Sequence, residues 1–211
     1  MIDSVLEEYI TAFSEKETSY LKALHEYTIQ NAHGAHMISG SLQGAFLRAM
    51  SLLKQPENIL EIGTFTGYSA LCLVEGLKKD GKLITLDKSD EHLSFMSTIW
   101  KDAGKDKQIQ FIKGDAEELI PNLDMTFDLV FIDANKRAYE NYMNLVLPKM
   151  PKGGCIIVDN VLFRKEPILE EKYQSKTGKF MDAFNQKMAE DNRVHQIILP
   201  LRDGISILVK K

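Results

Sequence analysis

The chain of 211 residues has only two cysteines, and each sits in an apolar run, Cys72 in SALCLV and Cys155 in GGCIIV. Two such thiols cannot form a disulfide scaffold, and they read as buried groups in a reducing compartment. No run approaches the roughly 20 apolar residues that a membrane-crossing helix requires. The start, MIDSVLEEYI, has neither a basic flank nor an apolar signal core, so the expectation is a cytoplasmic protein. An excess of positive charge is missing as well. With 26 Lys and Arg against 30 Asp and Glu, the net charge is −4, which argues against a chain that holds nucleic acid chiefly by neutralising phosphates. What remains is a hydrophobic share of 44% and a charged share of 27%, the make-up of a globular protein with its own core.

The first 55 residues carry helical spacing: Val5, Leu6, Tyr9, Ile10 and Phe13, then Tyr20, Leu21, Leu24, Tyr27 and Thr28, then a segment from about Ser41 to Lys54 that stops before Pro56. From Asn58 short apolar runs alternate with helical patterns. ILEI, LVFI and CIIV are nearly all apolar, as strands covered on both faces are, and the alternation predicts a doubly wound, mostly parallel α/β sheet. VHQIILPL and GISILVKK flank Arg202-Asp203-Gly204, a hairpin signal that makes the last strand antiparallel. The pattern predicts a long helix-like stretch reaching about Asn192, while residues 164–179 read as a polar, basic surface loop. The division expected is one domain over 1–211, with a helical segment 1–55 and an α/β core 56–211.

In such a sheet ligands bind beyond the carboxyl ends of the strands. Five successive ends carry an acid on or next to the tip: Glu61, Asp87, Asp115, Asp133 and Asp159. The first turn, Glu61-Ile-Gly63-Thr64-Phe65-Thr66-Gly67-Tyr68-Ser69, lacks G-x-G-x-x-G, because Phe65 and Tyr68 stand where glycines would be needed. It lacks the P-loop lysine too. A nicotinamide dehydrogenase is thereby disfavoured. A carboxylate at Glu61 repels a pyrophosphate and suits a cationic, donor-rich ligand such as S-adenosylmethionine, with Gly63 and Gly67 giving the backbone close approach and Asp87 facing the ribose hydroxyls.

Asp133, Asp159 and Asn160 end two strands expected to be neighbours, about 4.8 Å apart. Two carboxylates and an amide form a hard, all-oxygen set that suits Mg²⁺, or Mn²⁺ or Ca²⁺, and does not suit zinc. Lys136, three residues after Asp133, is the candidate general base, since a nearby cation and sulfonium favour its neutral form. His25, His33 and His36 do not share a segment that would make them a ligand cluster.

LEIGTFTGYSAL, the GDA after the third strand, FIDANK and VDNVLF closely resemble the cation-dependent O-methyltransferases, which include caffeoyl-CoA and catechol O-methyltransferases and many small bacterial relatives. The resemblance runs from about Met37 to the C-terminus. It implies a seven-stranded Rossmann-like methyltransferase sheet preceded by N-terminal helices, in a homodimer. It implies that the methionine part of the cofactor lies at Glu61, Gly63, Thr64 and Ser69, with Asp133 also on the cofactor, its ribose at Asp87, its adenine near Ala116, and an upstream contact at Met37 and Ser39. It further implies metal ligands at Asp133, Asp159 and Asn160, with Lys136 as base. Asn135 departs from the second aspartate of plant-type members, and Phe163-Arg164-Lys165 from the Trp, small residue and Gly of many relatives. The expected acceptor is a catechol-like or hydroxycinnamoyl-type small molecule. The alternatives are a hydroxyuridine of a tRNA anticodon loop, which Arg164, Lys165, Lys172, Lys176 and Lys179 would suit, and a non-catalytic adenosine-nucleoside binder.

Overall fold

Residues 4–211 are described by a computed structural model; the acidic start Met1–Asp3, part of the segment read above for targeting, lies outside the described residues. The chain divides into two compact units, Ser4–Ala116 and Glu117–Lys211.

The first unit opens with α1 (Ser4–Phe13), α2 (Ser19–Asn31) and α3 (Gly40–Lys54). Thr18 caps α2 by accepting from the Leu21 N–H at 3.3 Å, so the extended residues before it end where the helical period begins. α3 closes on Gln55, whose left-handed backbone (φ 47°) turns the chain towards Pro56. β1 (Asn58–Ile62), β2 (Lys82–Asp87) and β3 (Ile109–Lys113) then alternate with α4 (Tyr68–Leu73) and α5 (Leu93–Asp102). β1 pairs with β2 and β2 with β3, both parallel, in the register Glu61↔Thr85↔Phe111. Leu60, Ile62, Leu83 and Leu86 are buried, as covered strands demand. α3 packs on α4 through Leu47, Gly44 and Ser51, whose hydroxyl donates to the Leu73 carbonyl at 2.5 Å.

The second unit holds α6 (Ala116–Asn122, its first residue in the preceding unit), β4 (Leu129–Ile132), α7 (Tyr139–Val146), β5 (Cys155–Val158), α8 (Lys176–Glu190), β6 (Val194–Leu199) and β7 (Ile205–Lys210). All eight residues of β4 and β5 are buried, and the two strands pair in parallel, Ile132 opposite Val158. β7 is antiparallel to both β5 and β6, as the Asp-Gly signal requires. The seven strands make one mostly parallel sheet in the order β3-β2-β1-β4-β5-β7-β6, which is the predicted fold class.

The expected long helix after β5 is broken. Phe163, Arg164 and Lys165 all adopt positive φ (27°, 56° and 62°), two short 3-10 turns follow, and α8 begins only after Ser175, whose hydroxyl accepts from the Gly178 N–H at 3.1 Å. A left-handed run cannot continue a right-handed helix, and the polar loop expected over 164–179 occupies the gap as far as Lys176. Among the described residues no helix is long and apolar enough to cross a membrane.

Candidate active site

In the first unit the turn after β1 is wound around glycines. Gly63 (φ 103°) continues the ladder by donating to the Leu86 carbonyl, and Gly67 (φ 79°) closes the turn by donating to the Thr64 carbonyl at 2.8 Å. Any Cβ at Gly67 would lie 2.8 Å from the Trp100 ring and 2.9 Å from the Met96 sulfur. The glycine expected to allow close approach of a ligand is also required by the packing of α5.

Asp87, expected at a ribose, is the staple of the same turn. Its Oδ2 accepts from the backbone N–H groups of Thr64 (3.0 Å) and Phe65 (2.9 Å), and its Oδ1 accepts from Ser89 N–H at 3.0 Å. A carboxylate has about four acceptor positions, so these three bonds leave it able to take one more donor. The staple also holds Phe65 in a left-handed backbone (φ 49°) that costs a side-chain-bearing residue about 1–2 kcal/mol.

Glu61 is wholly buried on β1. Thr85, its register partner on β2, donates to Glu61 Oε2 at 2.5 Å, and the Thr64 hydroxyl lies 2.5 Å from that of Thr85. Ser69 is buried in α4, Ser39 is buried just ahead of α3, and Ala116 is buried at the start of α6, whereas Met37 is half exposed in the 3-10 turn Ala35–Met37. Asp115, at the third strand end, pairs with Lys88 at 2.7 Å.

Sequence reasoning missed how α2 grips this turn. The Thr28 hydroxyl meets that of Thr66 at 2.8 Å, both fully buried. Tyr27 stacks on Phe95 (centroids 3.8 Å apart) and its hydroxyl lies 3.3 Å from His92 Nδ1, while His92 meets the Phe65 ring edge-on. Tyr68 donates to Glu17 at 2.7 Å, and His25 also pairs with Glu17, so that histidine has a structural partner. Nothing in the helical spacing marked these bonds, because Tyr27 and Thr28 read there as members of the α2 stripe. Burial pushes the Cys72 thiol far up, with the Glu61 charge as a lesser cause, and leaves it inert.

In the second unit Asp133 and Asp159 follow the register pair Ile132↔Val158, and the Asp159 N–H donates to the Ile132 carbonyl at 3.0 Å. The two acids therefore end adjacent strands side by side. The Lys136 ammonium donates to Asp133 Oδ1 at 2.7 Å and lies 5.5 Å from the centre of the Tyr139 ring. The Tyr139 hydroxyl donates to the Asp159 carbonyl at 3.3 Å. Burial holds that phenol well above its ordinary pKa, and the charges of Asp133 and then Asp159 push it further. Asp159 is 4% exposed and its Oδ1 accepts from the Asn160 N–H at 2.6 Å, with Asn160 itself left-handed (φ 58°). Asn135 caps the turn Lys136–Ala138 by accepting from Arg137 N–H at 3.3 Å. Among the described residues no group of three or more His, Cys, Asp or Glu gathers to hold a metal; the oxygen-bearing side chains at these strand ends are Asp133, Asp159 and Asn160. The hairpin braces the exit of β5: Val161 and Leu162 donate to the carbonyls of Gly204 and Asp203, and Arg164 N–H donates to Asp203 Oδ1. Two of the five basic loop residues are spent locally, Lys172 on Glu170 (2.7 Å) and Lys179 on Glu171 (2.9 Å).

Residues 11–211 match a family model described as O-methyltransferase. Caffeoyl-CoA O-methyltransferase 2 of Populus trichocarpa is 30% identical, over 93% of this chain and 84% of its own. Catechol O-methyltransferase domain-containing protein 1 of Mus musculus is 30% identical, over 99% of this chain and 80% of its own. The crystal structure of SAH-bound Podospora anserina methyltransferase PaMTH1 superposes with a TM-score of 0.89 at 29% identity, covering 98% of this chain and 94% of that one.

Proposed function

We propose a division of labour for this chain, which belongs to the O-methyltransferase family and moves a methyl group from S-adenosylmethionine to an oxygen: the turn after β1 holds the donor, and the ends of β4 and β5 handle the acceptor hydroxyl. On the donor side, Glu61 takes the ammonium of the cofactor, Asp87 uses its remaining acceptor capacity on the ribose, and Gly63, Thr64 and Ser69 line the methionine end. Met37, Ser39 and Ala116 complete the contacts, with Asp133 an additional one.

On the acceptor side the proposed ligands of a divalent cation, Mg²⁺ first, are Asp133, Asp159 and Asn160. The observation that supports this is the register: two acids at the ends of paired parallel strands, with an amide next in sequence, offer only hard oxygen donors. When bound, the cation supplies Lewis acidity and a template for two vicinal oxygens. Lys136 Nζ, having released one proton to water and exchanged its bond to Asp133 for one to the substrate, takes the proton of the acceptor hydroxyl as an amine and returns to the ammonium form. The deprotonated oxygen then attacks the methyl group as the carbon–sulfur bond breaks, and the positive charge of the sulfonium is lost. Tyr139, kept protonated by burial, fixes the β5 exit without competing for that proton.

A small catechol-like or hydroxycinnamoyl-type acceptor is favoured over tRNA by the likeness to caffeoyl-CoA O-methyltransferase 2 of Populus trichocarpa. The test is methyl transfer from labelled S-adenosylmethionine to a catechol panel and to undermethylated tRNA, with Mg²⁺ or with excess chelator. Catechol turnover that stops in chelator and returns with Mg²⁺ is expected. Full turnover in chelator would remove the metal from the reading. Transfer to tRNA alone would replace the acceptor, and cofactor binding with no transfer to either would leave a nucleoside binder.

A further inference from the structure

Thr85 is wholly buried on β2, and its hydroxyl bonds the side chains of Glu61 and Thr64. Its hydroxyl has one proton and two lone pairs. The structure gives that proton to Glu61 Oε2 at 2.5 Å, so the contact to Thr64, also 2.5 Å, must run the other way, with Thr64 donating to Thr85. The chain of bonds therefore has one direction, Thr64 to Thr85 to Glu61. Two consequences follow. The Glu61 carboxylate is fixed on β1 by a donor at its register partner, and a buried charge needs such donors. The Thr64 oxygen, its proton already committed, is left with lone pairs only. Two neighbouring groups thus become acceptors, and acceptors alone, which selects a ligand group that only donates: an ammonium.

We propose that Thr85 is a positioning residue for the methyl donor, orienting Glu61 and setting the hydrogen-bond polarity of Thr64 so that together they select the cationic amine of the cofactor's amino-acid end. This rests on the assignment of Glu61 to that end.

The test is calorimetric titration of the full chain with two ligands. S-adenosylhomocysteine carries the amino-acid end; 5′-methylthioadenosine lacks it. The variants are Thr85→Val, which keeps the shape and removes the hydroxyl, Thr85→Ser, which keeps the hydroxyl, and Glu61→Gln. Thr85→Val is expected to weaken S-adenosylhomocysteine about tenfold or more, the worth of a hydrogen bond to a charged group, and to leave 5′-methylthioadenosine within about twofold. Thr85→Ser restores the affinity. The KM for S-adenosylmethionine rises in Thr85→Val while kcat at saturation stays within about twofold. Equal weakening of both ligands would mean a general loosening of the turn and overturn the proposal. Unchanged affinity in Thr85→Val, with Glu61→Gln impaired, would overturn it alone. Unchanged affinity in Glu61→Gln would instead remove Glu61 from the cofactor. Should Thr85→Val fail to fold, Thr85→Ala read against Thr85→Ser poses the same comparison.

Discussion

Glu61 and Asp87 in one unit, and Asp133 and Asp159 in the other, are pairs of acids at strand ends, yet they are held by different means. Asp87 is stitched to three backbone N–H groups and Glu61 is fed a proton by Thr85. Neutral donors hold these carboxylates in place, so the turn keeps its shape by hydrogen bonds rather than by ion pairs. Asp133 instead leans on a cation from its own chain, Lys136, and stands beside Asp159 in register. Two carboxylates side by side repel unless positive charge lies between or next to them. One pair is held by neutral donors; the other is held by a lysine whose bond can be exchanged.

The largest effect expected from this contrast is at the second pair. Asp159→Ala should lower methyl transfer about a thousandfold, the several kcal/mol that a Lewis acid contributes, and abolish the response to Mg²⁺. Cofactor affinity, measured by calorimetry, should stay near that of the unaltered chain; if it fell in parallel, the two acid pairs would not be separable. Next comes Lys136→Ala, with a loss in kcat of about a hundredfold or more and little change in cofactor affinity, measured by steady-state kinetics beside binding. Loss of affinity with kcat preserved would make Lys136 a binding group. The smallest concerns architecture alone. Gly67→Ala forces a Cβ into a left-handed position 2.8 Å from Trp100 and should cost about 2–3 kcal/mol of stability in a urea titration. A stability within about 0.5 kcal/mol of the unaltered chain would show that the turn is more yielding than its bonds imply.

The fold was legible where physics leaves a periodic trace. ILEI, LVFI and CIIV are apolar because both faces are covered, and the hairpin was marked by Gly204, which takes a left-handed backbone (φ 88°) that glycine adopts most readily. The strand-end acids were legible for a related reason: charge at the end of an apolar run is conspicuous. Their individual tasks were less so. Asp87 looked like a ligand group and is also a staple, since a sequence shows an acceptor without showing which donors reach it. Thr85 was invisible, because a threonine inside KLITLD reads as one more β-branched residue of a strand. The left-handed run Phe163–Lys165 was missed because no glycine announces it.

The grip of α2 on the turn after β1 bears on how the chain can be handled. Thr28, Tyr27 and, just before the helix, Glu17 hold Thr66, His92 and Tyr68 from a stretch more than thirty residues earlier. A version trimmed to begin just after α2 would keep every residue proposed for the donor and still lose the bonds from Glu17, Tyr27 and Thr28 that brace the turn. Trimming the amino end is thus an edit to the turn after β1, made from a distance.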